Sequence, residues 1–114
     1  MDITVTQLDP VTVLAVTGSL DGLTADAFTQ GMGLHLQAGR YKLITDFAGV
    51  DYTSSAGLRS LLTTVKHARQ AGGDMRMCSV KPLVMRVLSM SGFHSFIKIY
   101  DDLPAALASF DPIG

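Results

Sequence analysis

The segment Val50-Asp51-Tyr52-Thr53-Ser54-Ser55-Ala56-Gly57-Leu58 lies between a predicted strand and a predicted helix, and the order of the other elements follows from it. Before it, the apolar residues 41–47 predict a buried strand. After it, apolar residues recur at helical spacing, namely Leu58, Leu61, Leu62, Val65 and Ala68. They predict a helix from about Ser55 to Gln70. Two serines and a glycine therefore lie where a strand passes into a helix.

The composition is that of one globular domain, expected to span residues 1–114 with its core in 3–110. The net charge of −1 argues against nucleic-acid or anionic-membrane binding, because both require a basic excess. No apolar run reaches the roughly 18 residues of a membrane-spanning helix, and the N-terminus lacks the pattern of a signal peptide. The single Cys78 cannot form an internal disulfide. We therefore expect a cytoplasmic protein without membrane insertion, with Cys78 as a small core residue.

The chain before the central segment predicts a hairpin and a helix. Residues 3–7 and 11–17 alternate as strands around the turn signal Asp9-Pro10, and their close spacing favours antiparallel pairing. A helix follows, with Thr24 as its N-cap. Its rough apolar stripe consists of Ala27, Phe28, Met32, Leu34 and Leu36.

The chain after the central helix continues the alternation. Met75, Met77 and Val80 indicate a strand, and Pro82 suits the first turn of a third helix. The apolar face of that helix is predicted to be Leu83, Val84, Val87 and Leu88. Residues 96–100 predict a last strand, and a final helix follows Asp101-Asp102. The order β-β-α-β-α-β-α-β-α predicts an α/β domain whose mostly parallel mixed sheet has an N-terminal antiparallel edge strand.

Polar residues are predicted to converge at one edge of this sheet, because the carboxyl ends of parallel strands and the N-termini of crossover helices meet there. We expect segments 19–22, 46–57, 79–82 and 100–104 at this edge. They carry Asp21, Asp46, Asp51, Ser54, Ser55, Lys81 and Asp102. Either serine can be read as an N-cap hydroxyl or as a phosphoacceptor, since a phosphate there would meet free N–H groups and the positive end of the helix dipole.

Enzymatic interpretations fit the sequence poorly. A serine hydrolase needs a histidine beside the serine, but His67 lies roughly 18 Å from Ser55 along the same helix, and His35 and His94 fall at the opposite edge. A phosphoacceptor-aspartate receiver could use Asp46 at a strand end, but it lacks the further carboxylates that hold Mg²⁺. Asp46, like Asp21, is more simply read as bonding nearby backbone N–H groups. No nucleotide-binding loop or metal-ligand spacing occurs, so we predict a non-enzyme without cofactor or metal.

Residues 43–62 (L-I-T-D-F-A-G-V-D-Y-T-S-S-A-G-L-R-S-L-L) resemble the core signature of the STAS domain, a family that includes bacterial anti-sigma factor antagonists. The similarity continues, in register, at 18–21, 71–73, 88–93, 97–100 and 105–107. It covers nearly the whole chain, and the element order of that family is the one predicted above.

The resemblance implies a protein-binding switch. In such antagonists a serine just before the Gly-Leu of this helix is phosphorylated by an anti-sigma factor that is a histidine-kinase-like ATPase. The unphosphorylated form binds that partner and releases a sigma factor, and a metal-dependent serine phosphatase removes the phosphate. By position the phosphoacceptor is Ser55, with Asp21, Ser54, Ala56 and Gly57 in the partner-binding surface. Many antagonists have aspartate where this chain has Ser54, which makes Ser54 the second choice of acceptor.

Two further binding functions stay open at this point. A STAS domain can be a constitutive scaffold or an accessory subunit of a lipid or anion transport system, without phosphorylation. The same sheet edge can also bind a small molecule or nucleotide. The residues of the serine turn do not separate these functions.

Overall fold

The computed structural model describes residues 1–110, in which strands alternate with helices after an N-terminal hairpin. In chain order the elements are β1 (Asp2–Leu8), β2 (Val11–Leu20), α1 (Ala25–Gln37), β3 (Lys42–Thr53), α2 (Ser55–Gln70), β4 (Asp74–Cys78), α3 (Pro82–Met90), a 3₁₀ turn (Phe93–Ser95), β5 (Ile99–Tyr100) and α4 (Leu103–Ala108). The predicted element order and the α/β class are confirmed.

The five strands form one mixed sheet in the order β1-β2-β3-β4-β5. β1 runs antiparallel to β2, and the remaining neighbours are parallel. Because each parallel strand lies beside the next one in sequence, the right-handed crossovers place α1, α2 and α3 on the same face. α4 follows β5 and packs on the opposite face. The predicted antiparallel edge strand is therefore present.

Both faces of the central strands are apolar, as expected for parallel strands covered on two sides. Leu43 and Ile44 are consecutive in β3, are both fully buried, and belong to separate clusters on opposite faces. The larger cluster, under α1, α2 and α3, contains Phe28 and Phe47. The smaller one, under α4, consists of Val11, Val13, Ile44, Cys78 and Ala106.

Cys78 is a core residue, which confirms its prediction. It has no exposed surface, and burial raises the pKa of its thiol to about 11. The thiolate is the nucleophilic and metal-binding form of cysteine, so this side chain behaves as an apolar one at neutral pH.

β3 is longer than predicted. Its second half stays paired with β2 as far as the pair Leu20 and Thr53, whereas its pairing with β4 ends at Asp46 and Cys78. The expectation that this strand ends near Phe47 is wrong. Residues 48–53 continue the strand because they remain hydrogen-bonded to β2, although β4 no longer lies beside them. Asp46 consequently lies in mid-strand and not at the end of a strand.

The N-cap residue of α1 is Thr24, as predicted, but its hydroxyl bonds to the turn before the helix. The Thr24 hydroxyl makes no cap hydrogen bond. It donates instead to the carbonyl of Ser19 at 2.9 Å and accepts from the N–H of Asp21 at 3.0 Å. Thr24 therefore closes the β2–α1 turn.

Two apolar faces and the last strand also differ from expectation. Leu34 of α1 and Leu83 of α3 were predicted to face the core, but they are 67% and 69% exposed. The core-facing side of α1 is formed by Ala25, Phe28 and Met32. In α3 the buried residues are Val84 and Leu88. The last strand, predicted over residues 96–100, consists of Ile99–Tyr100 alone, because the chain forms a turn and a bend at residues 96–97, after the 3₁₀ turn.

Candidate functional site

Ser54 is the N-cap of α2, and all of its polar groups are engaged. Its backbone is extended, and its hydroxyl accepts a hydrogen bond from the N–H of Gly57 at 3.4 Å. Its own N–H donates to the carbonyl of Leu20 at 3.1 Å, and its carbonyl accepts from the N–H of Leu58 at 2.9 Å. Ser54 therefore joins the end of β2 to the start of α2, which is the structural role of a capping serine.

Ser55 is the first residue of α2, and its side chain is exposed. Within residues 1–110 its hydroxyl has no hydrogen-bond partner, and the first turn of α2 contains no acidic residue. The N-terminus of a helix carries unpaired N–H groups and the positive end of the dipole, both of which favour an anionic group. A phosphate on Ser55 would accordingly meet a favourable field without breaking an existing side-chain contact.

Gly57 lies beneath the serine turn, buried against the end of β2. A Cβ at this position would overlap the carbonyl oxygen of Leu20 and the hydroxyl of Thr53. These contacts show that the glycine allows the backbones of α2 and β2 to pack closely. Ser55 and the half-buried Ala56 lie on the outward side of the same turn.

The two aspartates singled out from the sequence both bond nearby backbone, as predicted. The Oδ1 atom of Asp21 accepts from the N–H of Leu23 at 3.0 Å, within the β2–α1 turn. The Oδ1 atom of Asp46 accepts from the N–H of Ala48 at 3.0 Å. Since Leu20 pairs with Thr53, the turn containing Asp21 lies next to the serine turn, whereas Asp46 lies further back in the sheet.

The serine turn lies between two open grooves. The first, of about 460 Å³, runs between α1 and α2 and is lined by Gly22, Ala25, Asp26, Thr29, Gln30, Ala56, Arg59, Ser60 and Thr63. The second, of about 260 Å³, runs between the end of β3 and α3 and is lined by Asp51, Tyr52, Thr53, Leu83, Val84, Arg86 and Val87. The ion pair between Lys81 and Asp51, at 2.5 Å, connects the start of α3 to β3.

Three large apolar side chains at this edge are exposed to solvent. Leu23 in the β2–α1 turn is 94% exposed, Tyr52 near the end of β3 is 54% exposed, and Leu83 at the start of α3 is 69% exposed. Exposed apolar residues that gather around one polar site are typical of a protein interaction surface. Sequence reasoning missed them, although Leu23, an apolar residue directly after Asp21-Gly22, was the available sign.

The histidines lie away from the serine turn. His35 is in the last turn of α1, where burial and then Arg40 lower its pKa, and His67 is in the last turn of α2. His94 is in the 3₁₀ turn after α3. Within the described part of the chain, no three His, Cys, Asp or Glu side chains are grouped so that they could hold a metal ion.

Comparison with known proteins places the chain in a family. Residues 2–106 match the STAS domain. The chain belongs to the STAS domain family. BtrV of Bordetella bronchiseptica, a candidate anti-sigma factor antagonist, is 30% identical over 110 residues, which cover 96% of this chain and 95% of BtrV. The anti-sigma F factor antagonist of Paenibacillus polymyxa is 30% identical over 104 residues, 90% of this chain and 89% of that protein.

A solved structure shows the same STAS fold. The crystal structure of a candidate anti-sigma factor antagonist from Thermotoga maritima superposes with a TM-score of 0.89, covering 94% of this chain and 92% of that one at 24% identity. The family resemblance and the predicted fold are thus confirmed.

Among residues 1–110, no helix combines the length and the apolar character needed to cross a bilayer.

Proposed function

We propose that this STAS domain is an anti-sigma factor antagonist, a protein-binding module that binds an anti-sigma factor when unphosphorylated and so releases a sigma factor. The observation that carries the proposal is Ser55, an exposed hydroxyl at the start of α2 between two grooves. The two relatives named for this role match nearly the whole chain, which supports the same role here.

Ser55 is the better phosphoacceptor of the two serines. A phosphate on Ser54 would disrupt the hydrogen bond that caps α2 through Gly57, whereas Ser55 has no such bond to lose. Ser55 is also exposed, while Ser54 is half-buried. A kinase can therefore reach Ser55 without unfolding the start of the helix.

The switch would act through charge on a rigid surface. A phosphoserine adds about −1.5 to −2 charges at neutral pH. That charge would be placed among the carboxylates of Asp21 and Asp51 at an edge whose apolar residues, Leu23, Tyr52 and Leu83, would otherwise pack against the partner. Loss of about 3–4 kcal/mol of binding free energy corresponds to a weakening of two to three orders of magnitude.

The remaining components follow from the family role. We propose that the anti-sigma factor is itself the serine kinase, of the histidine-kinase-like ATPase type, and that a metal-dependent serine phosphatase reverses the modification. Residues 3–110 would form the working unit, in the cytoplasm, and the net charge of −1 favours a protein partner over nucleic acid.

Phosphorylation of Ser55 is tested by intact mass after incubation with ATP and lysate from the source organism, followed by peptide mapping. We expect one added phosphate on Ser55. The Ser55→Ala variant should stay unmodified, and the matched Ser54→Ala variant should still be modified. An unmodified wild-type protein, in a lysate with demonstrated serine kinase activity, would contradict the proposal and favour a constitutive scaffold or a transport accessory subunit.

Leu83→Ser is expected to weaken partner binding about five- to tenfold, because it removes an apolar side chain that a partner would bury. The measurement is a titration of the anti-sigma partner by calorimetry. Leu34→Ser on α1 is the matched control, since Leu34 is similarly exposed, at 67%, but lies outside both grooves at the serine turn. Equal affinities of the two variants would show that the β3–α3 groove lies outside the interface.

A further inference from the structure

Arg59 lies one helical turn after Ser55 on α2, and both side chains are exposed. Residues four apart on a helix are neighbours on one face. Because helical side chains lean towards the N-terminus, the long side chain of Arg59 can extend over the turn that carries Ser55. A guanidinium is therefore within reach of any group attached to the Ser55 hydroxyl.

The guanidinium of Arg59 has no hydrogen-bond or ion-pair partner within residues 1–110. Two other cations are held by carboxylates: Lys81 pairs with Asp51, and Arg76 pairs with Asp74. Arg59 lines the groove between α1 and α2 together with Asp26, but the two side chains do not form an ion pair. Arg59 is thus an exposed cation whose side chain makes no ion pair or hydrogen bond in the described chain.

We propose that Arg59 pairs with the phosphate on Ser55 and holds it against α2. The inference rests on the proposed function, because it assigns a partner to the phosphate that the switch would add. A guanidinium suits this role, since its planar donors match two phosphate oxygens at once. Among the described residues that line the α1–α2 groove, Arg59 is the only basic one. Phosphorylation therefore also draws the cation of that groove towards the serine turn.

Several other charged groups share this edge, and the test has to separate them from Arg59. They are Asp21 and Asp26 from the β2–α1 region, Asp51 from β3, Lys81 and Arg86 from the start and middle of α3, and Asp101 and Asp102 between β5 and α4. The carboxylates disfavour the dianionic phosphate, and the dipole of α2 favours it. Lys81 and Arg86 are the competing cations; Asp51 already holds Lys81, and Arg86 lines the other groove, between β3 and α3.

The experiment places phosphoserine at position 55 during translation and follows its phosphorus NMR signal through a pH titration. The second pKa of a phosphoserine is about 6. We expect it to be about 0.5 units lower in the otherwise wild-type protein than in Arg59→Gln, as for a partly exposed ion pair. Arg59→Lys should give an intermediate pKa, because lysine keeps the positive charge but lacks the planar pair of N–H donors of the guanidinium. Lys81→Gln, the matched control, should titrate like the wild type.

Equal titration of wild type and Arg59→Gln would overturn the inference, and so would a shift that is lost in Lys81→Gln and kept in Arg59→Gln. The helix dipole acts equally on all variants, so the difference isolates the guanidinium. Because the phosphoserine is installed independently of any kinase, this result does not depend on whether a cell uses Ser55. Failure of the proposed function would appear in the lysate experiment instead, as an unmodified Ser55.

Discussion

Ser55→Asp is expected to lower the affinity for the anti-sigma partner about 100- to 1000-fold, as the phosphate would. The reason is local: an aspartate at the first position of α2 places a fixed negative charge on the exposed side of the serine turn. The fold should not change, because acidic residues in the first turn of a helix are compatible with its dipole. The measurement is a calorimetric or surface-plasmon titration with the unmodified anti-sigma factor.

Ser55→Ala is the matched control for this change. It removes the hydroxyl without adding charge, and that hydroxyl makes no hydrogen bond within the described residues, so we expect wild-type affinity and a wild-type melting temperature. Ser54→Ala should instead lower the stability of the domain by about 1 kcal/mol through loss of the cap. If Ser55→Asp and Ser55→Ala bind equally well, charge at this position does not control association.

Gly57→Ala is expected to destabilise the domain by about 2–3 kcal/mol, even though alanine is the better helix former by about 1 kcal/mol. The added methyl group would overlap the carbonyl of Leu20 and the hydroxyl of Thr53. The carbonyl cannot withdraw freely, because it accepts the hydrogen bond from the N–H of Ser54. α2 would therefore move away from β2, and the melting temperature should fall by about 10 °C, which circular dichroism measures.

Gly31→Ala provides the opposite outcome in the same protein. Gly31 is also inside a helix, but no heavy atom lies within 4 Å of a Cβ added there. We expect this change to stabilise the domain by about 0.5–1 kcal/mol, from helix propensity alone. If Gly57→Ala melts at the same temperature as Gly31→Ala, α2 does not pack against β2 as closely as the contacts indicate.

The sequence by itself determined the order of the elements, the class of the fold and the place of the candidate site. Strands that are buried on both faces, such as the one containing Leu43 and Ile44, can be predicted from sequence because residues on both sides of the strand must be apolar. The strand-to-helix junction at Ser54 and Ser55 can likewise be predicted, because the residues that indicate the strand, the turn and the helix are adjacent in the sequence. These features depend on residues close together in the chain, which is why the local pattern and the family resemblance are sufficient to predict them.

The tertiary structure alone decided which residues of the candidate site are exposed and which are held by hydrogen bonds or close packing. The reach of β3 to Thr53 depends on pairing with β2, about thirty residues earlier, and no local pattern encodes it. The same pairing brings Leu20 against Ser54 and Gly57, so Ser54 becomes a cap and Ser55 stays exposed. Leu83 fits a helical apolar stripe, yet it faces solvent, because burial is set by the elements packed around a residue and not by periodicity alone.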